Sequence, residues 1–212
     1  MSRLRVRHWD APQDYAACFA AMQAYTQHRD ADSDDQLWLL QHAPVLTQGQ
    51  AGKAGHILHL PPHLPVVQTD RGGQVTWHGP GQLVAYLLYD LNRLGWNVRD
   101  LVSHAEQAMI ATLADWGVQA QARRDAPGVY VGEAKIGSLG FKIRQGRSYH
   151  GLALNVDCDL ADFACINPCG FAGLAMTRLV DHAPGADLQT VRAHLQRHLQ
   201  ASSHQPVVEK LE

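Results

Sequence analysis

The segment Arg71–Tyr86 constrains this chain more than any other part of it (RGGQVTWHGPGQLVAY). It concentrates glycine and proline around an arginine, a tryptophan and a histidine, and then becomes an apolar run. Because glycine has no Cβ, such a stretch lets backbone approach a ligand closely. A tight hairpin that enters a strand would need only the Gly-Pro-Gly part. The remaining residues favour a binding wall whose polar side chains fix one end of a ligand, since ordered loops often carry function.

The composition is typical of one globular domain. The chain has 212 residues, 46% of them hydrophobic and 18% charged, so we expect a single domain over 1–212 with a core from about 35 to 201. A formal net charge of −2 without basic blocks argues against a nucleic-acid partner. No export signal follows the basic N-terminus, and no apolar run is long enough to span a bilayer. The expected location is therefore the cytoplasm, with no membrane partner.

Metal-binding signals are weak. C-x-x-C spacing is absent, so we expect no zinc ribbon. Because the cytoplasm keeps cysteines reduced, we expect free thiols. His194 and His198 lie four apart on a predicted helix but lack a Glu-x-x-His context. The run Asp30–Asp35 lacks the glycine and glutamate of a calcium loop and is expected to be a solvated turn. No metal or other cofactor is predicted. The four cysteines are Cys18, Cys158, Cys165 and Cys169.

Hydrophobic periodicity predicts a chain in which helices and strands alternate. The expected helices are Pro12–His28, a second from the cap Asn97 to Trp116, and a last one that Asp187 caps. Ala51–Pro65 is rich in glycine and proline and is expected to be a loop. The expected strands are Leu4–Trp9, Gln36–Gln41, Val45–Gln48, Leu83–Leu91, Gly128–Gly132, Ala134–Ile143 and Ser148–Val156.

A second informative segment, Gly132–Gly140, places a lysine at the start of a predicted strand among apolar and glycine residues (GEAKIGSLG). A lysine at a strand edge most often points into water. The neighbouring glycines instead permit close backbone approach, and a half-buried amine in such a place could act as a base. Both interpretations of Lys135 stay open at this point.

A third segment, Cys165–Gly170, places a cysteine in a sharp turn between Asn-Pro and glycine (CINPCG). A core cysteine more often lies inside a helix or strand among aliphatic residues, as Cys18 does. An exposed thiol in a turn favours a nucleophile, so Cys169 is the candidate. Cys158 and Cys165 are expected to be packing residues. The three cysteines are too widely and irregularly spaced for a typical zinc site.

Together these segments resemble the octanoyltransferases of lipoate biosynthesis, also called lipoyl(octanoyl) transferases. The matching patterns are R-G-G-x-x-T-x-H-x-x-G-Q-x-x-x-Y over Arg71–Tyr86, A-K-I-G from Ala134 and N-P-C-G from Asn167. They occur in the family's order and at about its spacing, and the resemblance runs from Leu37 to the last helix. Each pattern alone is unspecific, whereas the combination is highly specific.

The resemblance implies an α/β (α+β) fold with a single mixed central sheet flanked by helices, shared with biotin and lipoate protein ligases. It implies transfer of an octanoyl group from octanoyl-acyl carrier protein to a lysine of lipoyl domains. Those acceptors belong to 2-oxoacid dehydrogenase complexes and to the glycine cleavage H protein. The family suggests a monomer, and thioester exchange needs no ATP or other cofactor.

The resemblance also implies roles for individual residues. The catalytic residues are Cys169 and Lys135, and the cysteine carries the acyl group as a thioester. The substrate-binding positions are Arg71, Gly72, Gly73, Gln74, Val75, Thr76, Trp77, His78, Ser138, Leu139, Gly140, Gly151, Leu152 and Ala153.

The chemistry of these residue types agrees with the implied roles. An ammonium within about 4–6 Å of a thiol favours the thiolate. Lys135 would then protonate the leaving thiolate and later take a proton from the acceptor amine. Backbone N–H groups near His78 and in an expected turn at Ser138–Gly140 are candidate oxyanion donors. Candidate apolar lining residues are Val75, Trp77, Leu139 and Leu152, with the glycines at 72, 73, 140 and 151 expected to leave room for the acyl chain.

Basic residues offer a landing surface for the carrier protein, which is acidic in general. We call this hypothetical set the basic patch; its members are Arg123, Arg124, Lys142, Arg144 and Arg147.

Two other functions stay open. One is an ATP-dependent lipoate or biotin protein ligase on the same fold, which would activate a free acid as an adenylate and would need no cysteine. The other is a non-catalytic or amide-transferring relative that binds acyl lipoyl domains or shuttles the acyl group between proteins. A cysteine hydrolase fits less well, because the motifs supply Cys169 with a lysine and with no histidine–carboxylate pair.

Overall fold

The computed structural model describes residues 3–200 and 205–211, the latter range by its backbone. Its helices are α1 (Tyr15–His28), α2 (Leu91–Leu94), α3 (Val98–Ala114) and α4 (Leu188–Gln200). Its strands are β1 (Arg3–Trp9), β2 (Asp35–Leu40), β3 (Val45–Gln48), β4 (Val66–Gln68), β5 (Val75–His78), β6 (Gln82–Leu88), β7 (Gln121–Ala122), β8 (Val129–Val131), β9 (Ala134–Arg144), β10 (Arg147–Asn155) and β11 (Gln205–Leu211).

The central sheet is mixed and has eight strands in the order β11-β1-β2-β6-β10-β9-β8-β7. Strand β1 pairs in parallel with β2 and β11, whereas every successive pair from β2 to β7 in this order is antiparallel. A second sheet has three strands in the order β4-β3-β5. The expected mixed central sheet flanked by helices is confirmed.

Strand β6 shows why the sheet is covered on both faces. All seven of its residues are buried, as expected for this apolar run. Leu83, Ala85 and Leu87 pack in a core with residues of α3 and α4. Val84 and Tyr86, which alternate with them, pack in a different core with α1. Because successive side chains of a strand point to opposite faces, a strand that is apolar throughout must be covered on both sides.

The helix ends follow local capping chemistry. Asn97 caps α3 with a full capping box, in which its side chain accepts from the Asp100 N–H and the Asp100 carboxylate accepts from the Asn97 N–H. Asp187 accepts from the Thr190 N–H at 2.9 Å at the start of α4, as predicted. Helix α1 begins at Tyr15 rather than at Pro12, because Asp14 is its cap and accepts from the backbone N–H three residues on.

Strands β4, β5, β7 and β11 were not among the predicted elements. Three of them have four residues or fewer, which is too short for a period-2 pattern to stand out. Strand β5 lies inside the glycine-rich segment, between Gly73 and Gly81, whose φ angles are +86° and +81°. The segment is therefore a short strand between two glycine turns, and not a continuous loop.

The weak metal signals have structural explanations. His194 Nδ1 and His198 Nε2 both contact the Asp115 carboxylate, at 3.1 and 2.8 Å. Asp30 accepts from Ser33 N–H at 2.9 Å and closes the expected polar turn. Asp35, predicted to be part of this turn, is instead fully buried at the start of β2. Within the described ranges, no group of three histidine, cysteine or acidic residues is arranged to hold a metal. None of the helices described is long and apolar enough to cross a bilayer.

Candidate active site

Lys135 and Cys169 meet although 34 residues separate them along the chain. The Lys135 Nζ lies 3.1 Å from the Cys169 Sγ. The backbone brings them together, since Lys135 N–H donates to Ala175 O at 2.8 Å and Lys135 O accepts from Thr177 N–H at 3.0 Å. These two hydrogen bonds hold the segment after Cys169 beside the start of β9. Lys135 is only 1% exposed, so the interpretation as a lysine pointing into water is wrong.

The Lys135 amine sits in a pocket formed largely by backbone. It donates to the Pro127 carbonyl at 2.7 Å, and the Tyr130 ring lies 5.5 Å from Nζ. Gly128 permits this arrangement, because a Cβ at this position would lie 2.5 Å from Lys135 Cε and 2.9 Å from Nζ. The φ angle of Gly128 is +135°, which other residues rarely adopt. The amine is therefore held at a fixed position beside the sulfur.

Cys169 occupies a short turn, Pro168–Gly170, and its own φ angle is +56°. A left-handed conformation in a residue other than glycine is uncommon and is concentrated at functional sites. Asn167 N–H donates to His56 O at 2.8 Å and anchors the turn to the loop before β4. Gly170 lies against Gln74, where a Cβ would come within 2.9 Å of the amide carbon. The thiol is partly exposed, as expected, whereas Cys158 is buried in the core.

A cavity of about 330 Å³ lies beside Cys169. Small-molecule sites typically enclose roughly 300–1,000 Å³. The lining is mostly apolar and includes every substrate-binding position proposed from the sequence except Trp77. Lys135 contacts the sulfur but is not part of the lining. The lining residues are Tyr15, Arg71, Gly72, Gly73, Gln74, Val75, Thr76, His78, Val84, Tyr86, Val102, Pro127, Ser138, Leu139, Gly140, His150, Gly151, Leu152, Ala153, Cys169 and Phe171.

The prediction that Trp77 lines the cavity is wrong. Its ring packs 5.2 Å from Phe163, and its Nε1 donates to Asp162 at 3.1 Å. Thr76 and His78, the residues on either side, do line the cavity. Neighbours along β5 point to opposite faces, so the Trp77 side chain packs with Val75 and Phe163 in a hydrophobic cluster, and the strand itself was not predicted. Val75 nevertheless borders the cavity at the start of the strand.

Two glycines of the cavity wall have an additional purpose that was not predicted. Gly140 and Gly151 face each other in the β9–β10 pairing, and the expected turn at Ser138–Gly140 is the middle of strand β9. A Cβ on Gly151 would lie 1.8 Å from Ala85 O, and one on Gly140 would lie 2.8 Å from Gly72 O. Both residues therefore let neighbouring backbones approach each other, and both also line the cavity beside Cys169.

Replacing Gly151 with alanine should destabilise the protein, because the methyl group would push β10 away from β6. Overpacking of this kind typically costs about 1–3 kcal/mol. Gly72→Ala is a matched control from the same cavity wall, since its Cβ would meet only Phe141 O at 3.4 Å. Urea denaturation of both variants measures the difference. Equal unfolding free energies for the two variants would contradict this explanation of Gly151.

A cluster of buried polar side chains lies in and behind the cavity wall, and three of its members, Tyr15, His42 and His150, were not among the site residues proposed from the sequence. His42 Nε2 and Tyr86 OH are 2.6 Å apart, and His78 Nδ1 lies 2.7 Å from Gln82 Oε1. Burial lowers the pKa of His42 to about 4 and that of His78 to about 3, so both rings are neutral at neutral pH. Tyr15, His42 and His150 are isolated along the chain, and no spacing pattern marks them.

Arg71 supplies fixed positive charge to this wall. Its guanidinium is buried and donates to the carbonyl and the hydroxyl of Thr47 at 2.7 and 2.8 Å. On the same wall, His150 Nε2 lies 2.8 Å from Asp70 Oδ1. Although burial raises the pKa of Asp70, hydrogen bonds from His150 and Tyr149 bring it to about 2. The site thus combines a thiol, an amine and a buried cation with neutral histidines and apolar surface.

Comparison with known proteins identifies the family. The model of the lipoyl protein ligase A/B catalytic domain matches residues 14–200. An octanoyltransferase from Acinetobacter baylyi is 65% identical over 178 residues, which cover 84% of this chain and 81% of the relative. One from Pseudomonas putida is 61% identical over 187 residues, or 88% and 86% of the two chains.

The fold is also found in solved structures. A bipartite lipoate protein ligase from Thermoplasma acidophilum superposes with a TM-score of 0.81 at 16% identity. The match covers 100% of this chain and 88% of the ligase. At this identity the likeness shows the architecture alone, whereas the much higher identity of the curated relatives shows the family. The chain belongs to the octanoyltransferases of the lipoyl protein ligase A/B catalytic-domain family.

Proposed function

We propose that this enzyme transfers an octanoyl group from octanoyl-acyl carrier protein to a lysine of lipoyl domains in lipoate biosynthesis. The transfer passes through a thioester on Cys169. The observation that carries the proposal is the 3.1 Å contact between Lys135 Nζ and Cys169 Sγ beside a mostly apolar cavity. The names of the curated relatives support octanoyl transfer itself. The proposed acceptors are lipoyl domains of 2-oxoacid dehydrogenase complexes and the glycine cleavage H protein. The enzyme is proposed to act as a monomer in the cytoplasm.

In the first half-reaction the Cys169 thiolate attacks the thioester carbonyl of the donor. The new carbon–sulfur bond to Cys169 forms, and the bond to the carrier's sulfur breaks. Lys135, as an ammonium, gives its proton to the departing thiolate and becomes a neutral amine. One thioester replaces another, so the step is close to isoenergetic and needs no ATP.

In the second half-reaction the acceptor lysine attacks the octanoyl thioester. That amine is mostly protonated in water and must first release one proton to solvent before it becomes a nucleophile. The neutral Lys135 takes a proton from the attacking nitrogen, and Cys169 leaves as a thiolate. The pair thus returns to its starting state. Because an amide is more stable than a thioester, this step drives the cycle.

The cavity provides affinity for the acyl chain through apolar burial. Seven saturated carbons at roughly 0.8 kcal/mol each yield about 5–6 kcal/mol when they leave water. Val75, Leu139 and Leu152 are the proposed apolar contacts, since all three residues line the cavity. The proposed substrate positions otherwise remain Arg71–Thr76, His78, Ser138–Gly140 and Gly151–Ala153.

Two alternative functions are less well supported. An ATP-dependent ligase would have no need for a thiol and an amine in contact, and neither would a relative that only binds lipoyl domains. Transfer with octanoyl-acyl carrier protein as sole donor, without ATP, separates the proposal from both. The ligase alternative instead requires that Cys169→Ser keeps activity when ATP and free octanoate are present.

The basic patch needs revision as a carrier-docking surface. Arg147 donates to the Arg29 carbonyl and lies 3.6 Å from Asp90, and Arg123 pairs with Glu133 at 2.8 Å. The charges of these two arginines are engaged within the chain and are less available to a partner. Arg124 and Arg144 are exposed and remain the better members of the patch.

Reversing Arg124 and Arg144 to glutamate should raise the KM for octanoyl-acyl carrier protein and leave kcat nearly unchanged. Charge at the rim of an interface mainly affects encounter with the partner. Arg5→Glu is a matched control, because strand β1 lies four strands from β9 in the sheet. Steady-state kinetics at low salt measures the effect. An unchanged KM in the double variant would contradict a role for the basic patch in binding the carrier protein.

A further inference from the structure

Glu106 is an acidic side chain near the Lys135–Cys169 pair to which the sequence assigned no role. It lies on α3, the helix that packs against the start of β9. Met109, one turn further along α3, touches Gly137 so closely that a Cβ on this glycine would lie 2.6 Å from the methionine sulfur. Residues three apart share one face of a helix. Glu106 is therefore on the side of α3 that faces the lysine's strand.

A short chain of contacts links Glu106 to the Lys135 amine. Glu106 Oε1 accepts from the Gly128 N–H at 3.1 Å. The same peptide unit carries the Pro127 carbonyl, which accepts from Lys135 Nζ at 2.7 Å. The carboxylate thus fixes one end of a peptide group whose other end holds the amine. Peptide planarity makes this link stiff.

The charged and titratable groups that face the pair come from three elements in the described part of the chain. They are Glu106 from α3, Tyr130 from β8, and Arg71 from the segment before β5. Glu106 is the carboxylate of this set. Burial raises the pKa of Glu106, whereas the Gly128 N–H and the charge of Lys135 act in the opposite direction. The last effect places Glu106 within electrostatic reach of the amine.

We propose that Glu106 is a positioning residue that orients Lys135 through the Pro127–Gly128 peptide and supplies the negative charge that keeps its amine protonated. This inference rests on the proposed function of the Lys135–Cys169 pair. Its role is twofold, because the hydrogen bond sets the place of the amine and the charge sets its protonation. The two contributions can be separated by substitution.

Glu106→Gln keeps an acceptor for the Gly128 N–H and removes the charge. Loss of a nearby negative charge makes both deprotonations of the pair easier. We expect the pH profile for alkylation of Cys169 by iodoacetamide, followed by peptide mass, to move to lower pH by roughly half a unit to one unit. Both limbs of the pH profile for transfer should move in the same direction. Glu106→Asp keeps the charge and should retain the wild-type midpoint.

Glu133→Gln is the matched control, since Glu133 lies two residues before Lys135 and its side chain is 90% exposed. It should leave the alkylation profile where it is in the wild type. Glu106→Ala removes the hydrogen bond as well, and should lower the maximal transfer rate in addition to moving the profile. A merely structural role for Glu106 would lower the rate and leave the midpoint in place.

Superimposable alkylation profiles for Glu106→Gln and wild type would overturn the inference. Lys135→Met separates this outcome from failure of the proposed function. If Lys135→Met also leaves the profile unchanged, the pair itself has no role and the proposed mechanism fails. If Lys135→Met moves the profile and Glu106→Gln does not, only the role of Glu106 is lost.

Discussion

Replacing Lys135 with methionine should lower the rate of octanoyl transfer by about 10²–10⁴-fold, which is the usual contribution of one positioned acid–base group. Methionine preserves much of the buried volume but can neither protonate the leaving thiolate nor accept a proton from the attacking amine. Lys135 contacts both the Cys169 sulfur and the Pro127 carbonyl, so its loss removes the charge beside the nucleophile as well.

Single-turnover transfer from octanoyl-acyl carrier protein measures this effect without interference from product release. The control is Lys53→Met, because Lys53 is an exposed lysine in the loop before β4. A Lys135→Met enzyme that transfers octanoyl at nearly the wild-type rate would mean that another group moves the protons.

Replacing Asp35 with asparagine should destabilise the protein by about 3–5 kcal/mol, the cost of leaving a buried charge without its partner. Arg29 Nη2 lies 2.6 Å from Asp35 Oδ1, and both side chains are 0% exposed. Arg93 and the Asp90 N–H each reach the same oxygen at 2.7 Å. This carboxylate joins the end of α1, the start of β2 and the start of α2.

Asp34→Asn is a control from the adjacent position. Asp34 pairs with Arg5 at 3.3 Å, and the two side chains are 24% and 36% exposed. Surface pairs of this kind contribute about 0–1 kcal/mol. Urea denaturation at neutral pH should therefore separate two neighbouring aspartates by several kcal/mol. Similar losses of unfolding free energy in both variants would show that the buried pair is not a major source of stability.

The sequence predicted the parts of this protein that local patterns encode. Strand β6 was evident because its run of apolar residues is long, and α3 because Asn97 and Asp100 form a capping box. The glycine-rich wall and the Cys169 turn were found because glycine and proline mark unusual backbone. Glycine patterns do not show what approaches the backbone, however, so the close approach of neighbouring backbone to Gly140 and Gly151 was not predicted.

Other features depend on distant contacts and leave no local signal. Asp35 was predicted to be part of a solvated turn, because only the fold brings its partners Arg29 and Arg93 to it. His150 lies within a predicted strand, and its partner Asp70 is 80 residues away. No local sequence pattern marks Glu106, and only the tertiary structure places it behind Gly128. The 3.1 Å contact between Lys135 and Cys169 likewise follows from the pairing on either side of the lysine.

The central claim is that Cys169 carries the octanoyl group between donor and acceptor. Intact-mass analysis after mixing the enzyme with octanoyl-acyl carrier protein, without acceptor, tests it most directly. We predict one octanoyl adduct that hydroxylamine removes, that maps to Cys169 and that passes to a lipoyl domain when one is added. Cys169→Ser should form no such hydroxylamine-labile adduct. Efficient octanoyl transfer by a Cys169→Ser enzyme, or a wild-type enzyme that turns over without ever carrying the group, would contradict the account.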